Sequence, residues 1–196
     1  DEVEREREVI AEEIVMYQEN PSDHLHDLLS LALWPDHPLG RPITGSEASI
    51  LGINAESLKA FTQQCYNCEG LTLAVAGKVS HDEVLRLADK LLPTSSQARL
   101  PFKTYQRPAF AGKVPFIHDR RDNEQSHLAL AFHTSGRHSD ERHVLRMLSL
   151  LLGETMSSRL FQELREKRGL CYHIASDFSL YEDTGTFEIH AALDSE

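Results

Sequence analysis

Two glutamates near the start of the chain are spaced in a way that suits chemistry at one site. Glu6 and Glu13 are two helical turns apart in a predicted helix, so their side chains point in directions that differ by about 20°. Apolar residues flank them on the same side of the helix: Val3, Val9, Ile10, Ile14, Met16 and Tyr17. The pattern predicts that both carboxylates lie on the face that the helix buries.

Buried carboxylates need partners, and two interpretations of Glu6 and Glu13 stay open. In the first, the side chains lie at the edge of the buried face and reach water or an arginine. In the second, they form a metal or catalytic pair. An anionic oxygen on a rigid, inward helix face is what a Zn²⁺ site requires from a carboxylate ligand.

The composition argues against several classes of protein. The chain has 196 residues, of which 40% are hydrophobic and 26% are charged, a range typical of one globular domain or of two small or partial ones. The formal net charge of -11 argues against nucleic acids and anionic membranes as partners. The longest apolar stretches fall far short of the roughly 18 residues of a transmembrane helix, so we expect a soluble protein.

The three cysteines, Cys65, Cys68 and Cys171, are too few for a disulfide framework. This leaves a reducing compartment or a cysteine-poor exported protein, with the cytoplasm favoured over the periplasm. Cys65 and Cys68 have redox or zinc-motif spacing, but the sequence lacks a second pair, and we assign them no role. The chain begins inside a helical pattern and stops just after a strand pattern, which predicts a fragment of a longer protein.

Proline and glycine positions and helix-capping residues predict the helices and strands that must position the candidate site residues. The first half should contain helices over 2–19, from a Ser22 cap to about 34, over 46–51, from an Asn54 cap to about 66, and over 81–92 after Ser80, with a buried strand over 71–76. A Pro/Gly-rich loop covers 35–42.

The composition changes between residues 93 and 112, where polar residues and prolines are typical of a linker. Beyond it the patterns predict strands near 114–117 and over 126–132, 172–179 and 184–193, with a helix capped by Ser139 and another over 156–167. Helices and strands are mixed on both sides of the linker, so the fold class is α+β, with sheets flanked by helices.

Several segments together resemble one known family. In the first half they are EREREVIAEE (4–13), YQENP (17–21), DHPLGRP (36–42) and ITGSE (43–47); in the second half, EQSHLALA (124–131), MSSRLFQELREKRGLCY (156–172) and YEDTGTF (181–187). They resemble the pitrilysin/insulinase family of zinc metallopeptidases, in its bacterial and mitochondrial processing-peptidase branch. The resemblance covers nearly the whole chain in the expected order.

The resemblance implies two similar domains in tandem, each a sheet flanked by helices. Residues 1–97 would be the later part of the first, catalytic-type domain, 98–112 a linker, and 113–196 the early part of the second, non-catalytic-type domain. The family's zinc motif, His-x-x-Glu-His, should lie upstream of Asp1. Glu13 aligns with the family's distant zinc ligand, and Glu6 with the acidic residue that supports the site from seven positions earlier. Zinc is therefore the implied cofactor, and its other ligands are expected upstream.

Two residues of the second half gain a role only through the resemblance. On sequence alone, Arg165 is an arginine at the margin of an apolar helix face and Tyr172 a core tyrosine of a strand. In the family, an Arg and a Tyr with this spacing contact the substrate and the transition state. Tyr172 would then donate to a developing oxyanion while Arg165 orients the substrate backbone. One departure is LGET (152–155), where relatives often carry several glycines.

Two histidine groups have metal-like composition but unsuitable spacing. His24 and His26 are two residues apart on a helix and point about 200° apart, so they cannot chelate one ion together. We interpret them as a solvated or loosely packed helix start. His138 and His143 miss the family's zinc motif by one insertion, and a helix cap at Ser139 explains that segment better.

The sequence thus predicts part of a zinc-dependent endopeptidase that hydrolyses peptides enclosed between two similar domains. The alternative is a non-catalytic peptide-binding or structural subunit of the same fold. The expected partners are a peptide substrate and a second copy or a paired subunit. Because the chain lacks the histidine pair, we expect residues 1–196 alone to be inactive.

Overall fold

The structure is a computed structural model that describes residues 2–66, 71–92, 105–108 and 115–194. Its contacts divide the chain into two compact units. One comprises Asp1–Val9 with Glu47–Thr104, and the other comprises Ile10–Ser46 with Tyr105–Glu196. The boundaries predicted for the duplicated domains of the family, 1–97 and 113–196, stay a prediction.

The described helices and strands follow one another in a mixed order. The α-helices are α1 (Glu2–Glu19), α2 (Pro21–Leu33), α3 (Glu47–Leu51), α4 (Ala55–Cys65), α5 (His81–Leu91) and α6 (Glu141–Leu152). A short 3₁₀ helix covers Pro38–Gly40 and a π-helix covers Phe161–Glu166. The strands are β1 (Gln125–Thr134), β2 (His173–Leu180) and β3 (Gly185–Asp194). The predicted α+β class is confirmed.

Local capping explains where α4 and α5 begin. Asn54 and Ser57 form a reciprocal capping box at α4, and Ser80 and Glu83 form another at α5. Arg7, near the start of α1, donates hydrogen bonds of 3.4 Å to the carbonyls of Leu51 and Ile53, just after α3. These bonds satisfy carbonyl groups that the end of a short helix leaves without intrahelical partners.

The sheet of the second unit is antiparallel, in the order β1-β3-β2. The last strand in sequence therefore lies in the middle. Its pairing with β1 runs from Gln125↔Asp194 to Thr134↔Gly185, and its pairing with β2 from His173↔Ala192 to Leu180↔Gly185.

Helices pack on both faces of this sheet. Next to α2, the buried Trp34 makes edge-on contacts with the rings of His133 and Tyr181, at centroid distances of 5.8 and 5.5 Å. Ser149 of α6 and Ser176 of β2 each donate a hydroxyl hydrogen bond to the other's carbonyl. The register sends His133 and Ser176 to opposite faces, so α2 and α6 lie on opposite sides.

The structure corrects four predictions about elements. Residues 71–76 and 115–117 are not strands, because no neighbouring strand pairs with them within the described residues, and Val114 lies outside these. Asn20, not Ser22, caps α2: its side chain accepts from the backbone of Ser22 and Asp23 while Pro21 occupies the first helical turn. The helix predicted over 156–167 begins only at residue 159 and is mostly π-helical.

Candidate functional site

The two carboxylates predicted to be buried are exposed instead. Ile14 is only 4% exposed and marks the face that α1 buries, whereas Val9 and Met16 are 48% and 59% exposed. Glu6 and Glu13 lie on this exposed side. The prediction of their burial is wrong because α1 buries one apolar arc, around Ile14, and leaves the residues beside Val9 and Met16 in solvent.

Glu13 makes no hydrogen bond or ion pair with another described residue, so its carboxylate oxygens remain available. A carboxylate on a continuous helix suits one position of a zinc ligand set. Within the described ranges, however, the side chains that group closely enough for a metal ion do not include Glu13. This chain therefore offers one ligand at that position, and the ligand role of Glu13 stays a prediction.

Arg165 lies on the π-helix, where the guanidinium carbon sits 4.6 Å from the centroid of the Phe161 ring. This distance is within the range of a cation–π contact. The chain leaves the helix through Gly169, whose φ of 62° lies in the left-handed region that favours glycine. Arg165 itself is exposed, at the margin of the half-buried residues Phe161 and Leu164, as its sequence position predicted.

Tyr172 precedes β2 and is 58% exposed, so the alternative of a core tyrosine is wrong. Its backbone N–H donates to the carbonyl of Ala192, at 2.9 Å, which ties Tyr172 to β3 at the start of β2. Its hydroxyl donates to Oδ2 of Asp194 across a long 3.4 Å. In the described part of the chain, no hydrogen bond or ion pair joins Tyr172 to Arg165 or to Glu13.

A different group of side chains does converge within the second unit. His26 of α2 and Glu188 and His190 of β3 bring their ligand atoms within 4.8 Å of one another, and we call them the α2–β3 cluster. Nε2 of His190 lies 3.1 Å from Oε2 of Glu188. The rings of His26 and His190 have centroids 4.5 Å apart.

Glu188 is the best-partnered member of the α2–β3 cluster. Thr186, which is fully buried, donates its hydroxyl to Oε1 of Glu188 at 2.6 Å. Burial raises the pKa of Glu188, but the hydrogen bonds from His190 and Thr186 and the nearby imidazoles of His190 and His26 outweigh burial and lower that pKa below its usual value. The carboxylate is therefore held as an anion beside two imidazoles.

The sequence did not predict this cluster, because its spacing groups His26 with the neighbouring His24. The two histidines do diverge, as predicted: Nε2 of His24 lies 2.8 Å from Oδ2 of Asp119, which Arg121 also contacts. Only His26 reaches β3. The available signal was the alternation in β3, which puts Glu188 and His190 on one face, but nothing in the sequence indicated that α2 packs there.

The other discounted groups contribute little. His138 pairs with Glu182 at 3.0 Å, and neither His138 nor His143 belongs to the metal-ligating group found among the described residues. Cys65 is a free, half-buried thiol, and Cys68 lies outside the described residues. None of the helices that the structure describes has both the length and the hydropathy needed to cross a membrane.

Comparisons with known proteins give one consistent family. The family described as peptidase M16 inactive domain matches residues 52–196. An uncharacterized zinc protease of Mycobacterium leprae is 38% identical over 98% of this chain and 44% of its own length. One of Bacillus subtilis is 35% identical over 96% of this chain and 45% of its own length. The chain thus spans less than half the length of these curated relatives.

Solved structures give the same fold. A peptidase M16 inactive domain from Pseudomonas fluorescens superposes with a TM-score of 0.83 at 25% identity, covering 100% of this chain and 47% of that one. A protease from Helicobacter pylori superposes with a TM-score of 0.87 at 24% identity, covering 99% of this chain and 48% of that one. At this identity the second likeness concerns the fold alone.

Proposed function

Because this chain belongs to the peptidase M16 family, the pitrilysin/insulinase family that its motifs resemble, we propose that it is part of a zinc-dependent endopeptidase. Its substrates would be peptides enclosed between two similar domains. The names of the relatives, zinc proteases of several bacteria, support the reaction class. The activity is proposed for the intact protein that contains this chain, since the relatives are more than twice as long.

The position of Glu13 is the observation that carries this proposal. Its carboxylate is exposed, makes no bond to another described side chain and stands on an 18-residue helix that holds it rigidly. Glu13 would be one zinc ligand, Glu6 would support the site, and the remaining ligands would come from outside residues 1–196. Zinc bound there supplies Lewis-acid polarisation of the scissile carbonyl.

Arg165 and Tyr172 would act on the substrate. Both are exposed, and neither polar tip is committed to a strong partner: Tyr172 has a 3.4 Å hydrogen bond, and Arg165 a contact with a ring. The Tyr172 hydroxyl can release Asp194 and donate to the oxygen on which negative charge develops. The Arg165 guanidinium has several donors in a fixed plane, which suits it to orient peptide carbonyls.

The decisive experiment replaces Glu13 by glutamine in the intact protein. A neutral amide is a poor substitute for an anionic zinc ligand, so Glu13→Gln should lose most of its zinc and nearly all peptide hydrolysis while it stays folded. Zinc is measured by atomic absorption and hydrolysis with a quenched-fluorescent peptide. The matched control is Glu12→Gln, the adjacent exposed glutamate on another side of α1. Equal zinc content in the two variants would contradict the ligand role.

A non-catalytic subunit is the second candidate, favoured by the description of the matching family as an inactive domain. In that case the intact protein binds an extended peptide without cleaving it. The residues that precede Asp1 in the intact protein separate the candidates, because the peptidase requires a His-x-x-Glu-His sequence there. Peptide binding measured by fluorescence anisotropy, with no turnover at saturating zinc, would establish the subunit role.

A further inference from the structure

We propose that His26, Glu188 and His190 form a binding site for a divalent transition-metal ion, with zinc as the best match. Two imidazoles and one carboxylate are a ligand set that zinc accepts, with a fourth position left for water. This inference uses none of the residues assigned to peptide hydrolysis. It therefore stands or falls independently of the proposed function.

The distances within the cluster suit one ion. Zinc lies about 2.0 to 2.2 Å from nitrogen and oxygen ligands, so two ligands of a tetrahedral ion are about 3.3 Å apart. Nε2 of His190 and Oε2 of Glu188 already have this spacing, at 3.1 Å. The other separations in the cluster are within 4.8 Å, and a rotation of the exposed His26 side chain on α2 would bring all three ligand atoms to the spacing of one ion.

Short side chains flank His190 on β3, and a hydroxyl group orients the carboxylate ligand. The residues paired with His190 on the two neighbouring strands are both alanines, Ala129 and Ala175, whose side chains carry no polar group that competes for the imidazole. The hydroxyl of Thr186 holds Oε1 of Glu188 and leaves Oε2 for the ion. In known metal sites, hydrogen bonds of this kind orient the residues that bind the ion directly.

A metal ion at this position would join α2 to the middle strand of the sheet. His26 is far from Glu188 and His190 in sequence, so the ion would hold together two segments that only the folded chain brings close. Because a ligand that binds only the folded state stabilises it, zinc should raise the melting temperature of the protein. The effect should depend on His26 as strongly as on the strand residues.

The test counts metal ions in the intact protein and in single variants. We expect His26→Asn and Glu188→Gln each to lose one equivalent of zinc relative to the wild type, and to lose the rise in melting temperature on zinc addition. His24→Asn is the matched control, because His24 lies on the same helix but pairs with Asp119. Thr186→Val should retain the site with zinc affinity lowered about 10- to 100-fold.

A second arm separates this site from the one proposed at Glu13. In the double variant Glu13→Gln and His26→Asn, the two losses of zinc should add if each site holds its own ion. His26 is exposed, so circular dichroism should show an unchanged fold when it is replaced. If His26→Asn binds as much zinc as His24→Asn, with the same shift of melting temperature, the cluster is an ordinary hydrogen-bonded group and the proposal is overturned.

Discussion

Two sets of polar residues contrast sharply in this chain. The first, which we call the motif set, comprises Glu6, Glu13, Arg165 and Tyr172; all four are exposed and make few or weak bonds to described residues. The second is the α2–β3 cluster, in which a half-buried carboxylate has three partners within one unit. The motif set could be identified from helix spacing and family resemblance, whereas the cluster is visible only in the structure.

The difference concerns where the partners of a functional side chain lie. Replacing a member of the motif set should cost little folding stability, because few contacts inside the chain depend on that residue. Its substitutions should therefore alter activity far more than stability. The cluster satisfies buried polar groups of the fold, so its substitutions should alter the free energy of unfolding directly.

The largest effect that tests this contrast belongs to Tyr172. Tyr172→Phe in the intact protein should lower kcat about 100-fold, because an oxyanion donor is lost, with zinc content and denaturation midpoint unchanged. Steady-state hydrolysis of a peptide measures this. Tyr66→Phe, another strongly exposed tyrosine, is the control. Wild-type kinetics in both Tyr172→Phe and Arg165→Ala would remove these two residues from the motif set.

A smaller effect is expected at Glu6. If this carboxylate supports the zinc site, Glu6→Gln should weaken zinc affinity or peptidase activity about 10- to 100-fold, less than Glu13→Gln does. Glu8→Gln provides an exposed control two residues further along α1. Competition with a zinc chelator gives the affinity. A loss at Glu6 as complete as that at Glu13 would assign Glu6 as a direct ligand instead.

The smallest effect is a pH dependence of stability at Glu188. Because its pKa is lower in the folded chain than its ordinary value of 4.5, the ionised carboxylate stabilises the fold above that pH. This contribution is lost as the pH falls through the lowered pKa. In the presence of a chelator, Glu188→Gln should cost about 1 kcal/mol near neutral pH and less in acid, as measured by urea denaturation. If the difference in unfolding free energy between the wild type and Glu188→Gln grows as the pH falls, this prediction is contradicted.

The elements that the sequence predicted well are those whose signals are local. The caps at Asn54 and Ser80 are satisfied by residues three positions away. Residues 71–76 have an equally clear strand pattern but remain exposed and unpaired among the described residues. A strand depends on a neighbour that its own sequence does not encode.

Candidate sites follow the same division. Glu13 could be assigned from a motif, whereas its burial was mispredicted because two apolar arcs flank it and only packing decides which one is buried. The π-helix around Arg165 has no signal in a sequence that also suits an α-helix. The α2–β3 cluster joins residues far apart in the chain, and spacing rules apply only to residues within one helix or strand.

The central position of β3 also has a consequence during synthesis. β1 emerges first, yet its partner in the sheet comes about 50 to 70 residues later, a delay of several seconds at 5 to 20 residues per second. During that interval the backbone edge of β1 that will pair with β3 has no partner from β3. Leu128, Leu130 and Phe132 lie along one side of β1. The nascent chain is therefore most open to chaperone binding, and to pairing with another nascent copy, between the completion of β1 and the arrival of β3.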